Sequence, residues 1–166
     1  MADYPFTTLV PNLGVCDTNR FKLSSALAMV FLDIPGLIEG ASAGKGLGLA
    51  FLRHAERCRM LLHLVDGESK HPGADLLAIN RELSQYSAEL AAMPQAVLLT
   101  KVDLTHVKAS LPEKLKELKA AAGHSRVIAL SSADGTNVPD LLLRTHRLLR
   151  KMDHSKTPDT ADSTET

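Results

Sequence analysis

At 166 residues the chain has the length of one domain, and with 45% apolar residues it can bury a core. Its formal net charge of zero argues neither for nor against a nucleic-acid partner. No run reaches the roughly 18 apolar residues of a membrane span, since Leu23 to Ile38 is broken by Ser24, Ser25, Asp33 and Pro35, and no segment has a signal-peptide pattern. Cys16 and Cys58 are too few and too scattered for a disulfide framework, which points to a reduced, cytoplasmic setting.

In chain order, Val10 to Cys16 and Leu27 to Asp33 read as strands joined by the polar stretch Asp17 to Lys22. Met60 to Asp66 is a third short apolar run. Leu76, Ile79, Leu83, Tyr86 and Leu90 then repeat at spacings of three and four, the stripe of one amphipathic helix. Ala96 to Thr100 is the next strand. Ser110-Leu-Pro-Glu113 has the capping-box pattern, and Leu111, Leu115, Leu118 and Ala122 continue a helix that Gly123 ends. Arg126 to Ser131 is a further strand. Asn137, with Pro139 two residues on, opens a last helix carrying Val138, Leu142, Leu149 and Met152 on one side. From about Asp153 apolar periodicity stops, so residues 153–166 are expected to form a disordered tail after a domain of residues 1–152.

The strand runs are continuously apolar rather than alternating, as in strands covered on both faces, and they alternate with helices. Together these features predict a doubly wound, mostly parallel α/β sheet.

Ligands of open α/β sheets sit beyond the carboxyl ends of the strands, and three candidate segments lie there. In Asp33-Ile-Pro-Gly36 the carboxylate can reach a Mg²⁺ ion through water, and the glycine amide can approach a terminal phosphate because no Cβ intervenes. Taken alone, the same four residues also make an ordinary turn. In Thr100-Lys-Val-Asp103 the carboxylate can accept hydrogen bonds from the N1–H and N2–H₂ edge of guanine, which adenine cannot supply, while the Lys101 stem lies along the purine. A charged turn after a strand is the plain alternative. Small residues at Ser131-Ser-Ala133 let a backbone amide come close to the guanine O6. Gly40-Ala-Ser-Ala-Gly44-Lys45-Gly46 imitates a phosphate loop. It has three residues between its glycines instead of four, and Gly46 stands where a Mg²⁺-binding hydroxyl is needed, so it reads as a flexible switch segment.

Four stretches carry a more specific likeness: ADYPFTTLVPNLGV (Ala2 to Val15), DIPGLIEGASAGKGLG (Asp33 to Gly48), FLRHAERCRMLLHLVD (Phe51 to Asp66) and RELSQYSAEL (Arg81 to Leu90). Over Ala2 to about Lys151 the chain closely resembles the Obg family of bacterial-type GTPases. The resemblance implies a Ras-like P-loop NTPase fold, binding of GTP or GDP with Mg²⁺, and association with the large ribosomal subunit. It places Thr7 and Thr8 in switch I, with Thr8 binding Mg²⁺, and Asp33 and Gly36 in switch II, with Asp33 the second metal residue. Lys101 and Asp103 match the guanine-reading motif, and Ser131 and Ser132, followed by Ala133, match the last motif. Leu37 stands where Ras-like proteins carry a water-positioning Gln, which implies slow hydrolysis.

Departures accompany the match. Thr100 replaces the usual Asn of the guanine motif. Only Met1, Ala2 and Asp3 precede Tyr4, so the family's glycine-rich domain, first strand, phosphate loop and first helix are not in these residues. The expected fold is therefore an incomplete Ras-like sheet, with unpaired inner edges on Leu27–Asp33 and Met60–Asp66 and a gap between them. Each unpaired buried group costs about 1–3 kcal/mol against a total stability of roughly 5–15 kcal/mol. Two functional classes are compatible with this: an N-terminally truncated G domain of a GTPase, or a shortened non-catalytic relative that binds ribosomes or proteins.

Two smaller features are expected to be structural. His63 in LLHLVD reads as a core or interface histidine, and His54, His63 and His71 lack metal-ligand spacing. Arg144, Arg147, Arg150 and Lys151 read as a solvated face complementing the helix dipole rather than an rRNA contact.

Overall fold

The computed structural model describes residues 12–17, 28–33 and 54–154. The strands are β1 (Asn12–Cys16), β2 (Met29–Asp33), β3 (Leu61–Val65), β4 (Gln95–Leu99) and β5 (Val127–Ala129). The helices are α1 (Pro72–Tyr86), α2 (Ala88–Ala92), α3 (Thr105–Ala109), α4 (Leu111–Ala122) and α5 (Val138–His154).

β3, β4 and β5 form a parallel sheet in that order, with Val97 opposite His63 on one side and Val127 on the other. The unbroken apolar run of β4 is explained by its two covered faces. Val97 and Leu99 pack with Leu76, Val107 and Leu118 of the helices on one side, whereas Leu98 packs with Leu141 of α5 on the other. This is the doubly wound arrangement expected from the sequence.

β1 and β2 form a separate antiparallel pair, with Gly14 opposite Phe31. Met29 and Phe31 pack on Leu142 and Leu149 of α5, and Leu32 packs near Ala55, Leu83 and Leu90. The expectation of strands covered on both faces fails here: Leu13, Val15 and Val30 are 67%, 72% and 63% exposed. Between β2 and β3 lies a cavity of about 1270 Å³, bordered also by α5 through Thr145, His146 and Leu149. The gap expected between these two strands is thus present among the described residues.

Three local expectations are corrected. The helix read through Leu76 to Leu90 is two helices, because Ser87 is extended (φ −154°) and its side chain accepts a hydrogen bond from the Leu90 amide. The capping box at Ser110 does not form; the Ser110 hydroxyl instead donates toward the His106 and Val107 carbonyls of α3. α5 continues through His154, past the point where the sequence places the start of a tail, and Asp153 is ion-paired with Arg59. Gly123 ends α4 as expected, in the left-handed conformation at φ 69° that glycine adopts without steric cost. No helix among the described residues is long and apolar enough to cross a membrane.

Candidate functional site at the carboxyl edge

The loops that follow β3, β4 and β5 meet at one edge of the parallel sheet. Thr100, which follows β4, makes two hydrogen bonds to the Val65 carbonyl at the end of β3, from its amide (2.9 Å) and from its hydroxyl (3.1 Å). Two residues later the Val102 amide donates to the Leu130 carbonyl after β5 (3.4 Å), and the Val102 side chain is buried. The four-residue loop is therefore pinned at alternate positions to the strands on either side. Lys101 and Asp103, the two residues between and after the pins, keep their charged groups at least partly exposed. Lys101 has φ 57°, an uncommon left-handed conformation for a side chain with a Cβ, and its carbonyl accepts from the Leu104 amide (3.2 Å) to close the turn.

The loop after β5 is organised by Ser131, which is 1% exposed. Its amide donates to the Thr136 carbonyl (3.1 Å), and its hydroxyl accepts from the Ala133 amide (3.1 Å). Ser132 and Ala133 lie at the surface of this turn. Asp134 accepts from the Thr136 amide (2.9 Å), and hydrogen bonding from Thr136 holds its carboxyl below the usual range. Asn137, at φ 59°, donates from its side chain to the Ala129 carbonyl (2.8 Å) and so ties the start of α5 back to β5.

The third loop, Asp66-Gly67-Glu68 after β3, was not singled out from the sequence. The Lys101 ammonium lies 2.8 Å from Asp66 Oδ2 and 2.7 Å from Glu68 Oε2, and His106 Nε2 lies 3.5 Å from Glu68 Oε1. Burial alone would raise the Asp66 carboxyl, but the Lys101 hydrogen bond and the Glu68 amide bring it below the usual range. The Lys101 hydrogen bond likewise lowers Glu68, and the two carboxylates raise the Lys101 ammonium. Gly67 is buried against the Thr100 carbonyl, where a Cβ would lie 2.1 Å from the oxygen. Lys114 of α4 donates to the carbonyls of Gly67 and of Ser69, the latter at 2.9 Å. The rule that ligands gather beyond strand ends, applied to LLHLVDGE, is the signal that would have found this loop.

The structure thus brings together Thr100, Lys101, Asp103, Ser131, Ser132 and Ala133. Asp33 is apart from them at the end of β2, in the other sheet, exposed and opposite Asn12. Thr7, Thr8, Gly36, Leu37 and the glycine-rich Gly40 to Gly46 lie outside the described residues. Of the residue pair expected to hold Mg²⁺, only the Asp33 carboxylate is described, a hard oxygen ligand suited to that ion. Among the described residues no group of three or more His, Cys, Asp or Glu side chains could hold a metal ion. Burial lowers His63 from the ordinary imidazole value, in keeping with its half-buried place in β3. Arg144 forms an i,i+4 pair with Asp140 at 2.8 Å, a solvated-face arrangement.

Comparison with known proteins adds an independent line. The sequence model of a family described as 50S ribosome-binding GTPase matches residues 1–101. The GTPase Obg of Synechococcus sp. (strain CC9605) is 48% identical over 145 residues, covering 87% of this chain and 42% of that protein. The GTPase Obg of Sorangium cellulosum (strain So ce56) is 43% identical over 162 residues, covering 96% of this chain and 46% of that protein. The chain therefore spans less than half the length of these curated relatives. Among solved structures, Era in complex with MgGDPNP and nucleotides 1506–1542 of 16S ribosomal RNA matches with a TM-score of 0.54 at 20% identity, over 96% of this chain and 48% of that one. This likeness carries the fold: a partial Ras-like P-loop arrangement with a parallel sheet, as the sequence predicted.

Proposed function

This chain belongs to the Obg family of GTPases, and we propose from that premise that its carboxyl-edge loops are the guanine-reading half of a GTP- and GDP-binding G domain. The observation that carries the proposal is the doubly pinned Thr100–Asp103 loop beside the Ser131–Ala133 turn. Asp103 accepts the N1–H and N2–H₂ donors of guanine, the Lys101 stem lies along the purine face, and the Ser131–Ala133 turn lets a backbone amide approach O6. Thr100 fits this role in place of Asn because its hydroxyl ties the loop to β3. Thr7, Thr8 and Gly36 belong to the phosphate end of the same site. Thr8 and Asp33 would hold Mg²⁺, which supplies positive charge against the phosphate oxygens when bound.

The reaction is hydrolysis of GTP to GDP and phosphate. It is slow, because Leu37 offers no side-chain group to orient a water molecule. The partner is the large ribosomal subunit, and the activity serves ribosome assembly in the cytoplasm, a setting that fits two cysteines without a disulfide framework.

Titration of the 166-residue protein with a fluorescent GDP analogue tests the reading. The expected result is saturable binding displaced by unlabelled GDP and not by ADP. No saturable binding at high micromolar protein contradicts it and favours a non-catalytic ribosome- or protein-binding role.

A further inference from the structure

We propose that Asp66 and Glu68 are positioning residues that hold the Lys101 ammonium away from Asp103, leaving the Asp103 carboxylate free for the guanine edge. The inference rests on the guanine-reading assignment of the Thr100–Asp103 loop.

Lys101 and Asp103 are opposite charges two residues apart in one tight loop. Left to themselves they would neutralise each other, and an Asp103 occupied by an ammonium has fewer lone pairs for N1–H and N2–H₂. The structure directs the ammonium elsewhere. The Glu68 amide donates to Asp66 Oδ1 (2.9 Å), and this short turn brings both carboxylates to Lys101, at 2.8 and 2.7 Å. Two acids compete for one ammonium on the β3 side, against one acid within its own loop.

The acidic loop is built to stay in place. Gly67 fits under the Thr100 carbonyl only because it lacks a Cβ, and Lys114 binds two of the loop's carbonyls from α4. The Lys101 pairs are half exposed, with side-chain exposures of 46% for Lys101, 51% for Asp66 and 47% for Glu68. Such pairs add little to folding stability. Their effect is directional: the ammonium is fixed at one end by two carboxylates, and the backbone at the other end is constrained at φ 57°. With the ammonium engaged by Asp66 and Glu68, it does not compete for Asp103.

The test is equilibrium binding of GDP to the 166-residue protein, its Asp66→Asn/Glu68→Gln double variant, and that double variant with Lys101→Met added. Loss of both carboxylates is expected to weaken GDP binding by roughly tenfold, the scale of one charge-assisted hydrogen bond. Lys101→Met, which keeps an apolar stem and removes the competing charge, is expected to restore most of that loss. Asp140→Asn, a distant carboxylate paired with Arg144, should bind as the parent does. Equal GDP affinity in parent and double variant overturns the proposal. A loss that Lys101→Met does not restore overturns it too, because it marks a merely structural role. If the parent itself fails to bind, the guanine reading falls first and this inference with it. Where the double variant does not fold, Glu68→Gln alone, at an exposed carboxylate, gives the same comparison against its own Lys101→Met partner.

Discussion

Gly67 has less room than its neighbours in sequence suggest, since any Cβ there would sit 2.1 Å from the Thr100 carbonyl oxygen and 2.9 Å from a Val107 methyl. The obstacle is backbone, so it cannot swing aside. Gly67→Ala must push the β3 loop off β4, and overpacking of this kind costs about 2 kcal/mol, or roughly 4–8 °C in Tm for a chain of this size. Thermal unfolding followed by circular dichroism checks this; an unchanged Tm would mean that the two loops are not locked together. Residues of this kind are poorly legible in a sequence. Asp33, Lys101 and Asp103 declare themselves by charge at a strand end, whereas Gly67 is defined by a carbonyl 33 positions away in the chain. Thr100 is intermediate: the sequence marks it as a departure from Asn, and only the structure shows its hydroxyl bonded to Val65.

Among the elements, strands were easier to read than helix ends. Apolar runs of four to seven residues place β3, β4 and β5, although only β4 is buried on both faces and β3 leaves Leu64 64% exposed. The break at Ser87 is invisible in the pattern, since Leu83 and Leu90 fall into the same cluster across it and the apolar stripe continues. Ser110 differs for a related reason: its hydroxyl donates to carbonyls of the preceding turn instead of accepting from the amides of the helix it was expected to cap. β3 carries one titratable side chain, His63, whose imidazole burial holds below its ordinary value of about 6.5. The neutral form is thus favoured in the folded state. The stability tied to that preference is complete above about pH 6.5 and is lost as pH falls from there through the folded-state value. A Tm series from pH 7.5 to pH 5 should therefore decline less steeply for His63→Leu than for the parent. His124, lowered by burial and by the nearby Arg126, is retained in both proteins and cancels in the comparison. Parallel curves would contradict the assignment.

At the scale of the whole molecule, α5 joins the two sheets. Its Leu142 and Leu149 meet Met29 and Phe31 of β2, its Leu141 meets Leu98 of β4, and Asp153 near its end pairs with Arg59 just before β3. The cavity of about 1270 Å³ between β2 and β3 is lined by Asp33 and not by the guanine-reading residues Thr100 to Asp103 or Ser131 to Ala133. Motif order made the architecture and the family legible from sequence. The split into a parallel sheet and an exposed antiparallel pair was less so, because it depends on which backbone edges find partners, a property no single run of residues encodes.

Selection of guanine rests on Asp103, and exchanging the chemistry of that side chain should exchange the base it selects. Asparagine at this position accepts from N1–H but donates to position 2, which suits the carbonyl of xanthine rather than the amine of guanine. Competition of GDP and xanthosine diphosphate for the parent and for Asp103→Asn is the decisive measurement. The parent is expected to prefer GDP and the variant to reverse the preference, each by on the order of tenfold or more. The same preference in both proteins, or no discrimination by either, would contradict it.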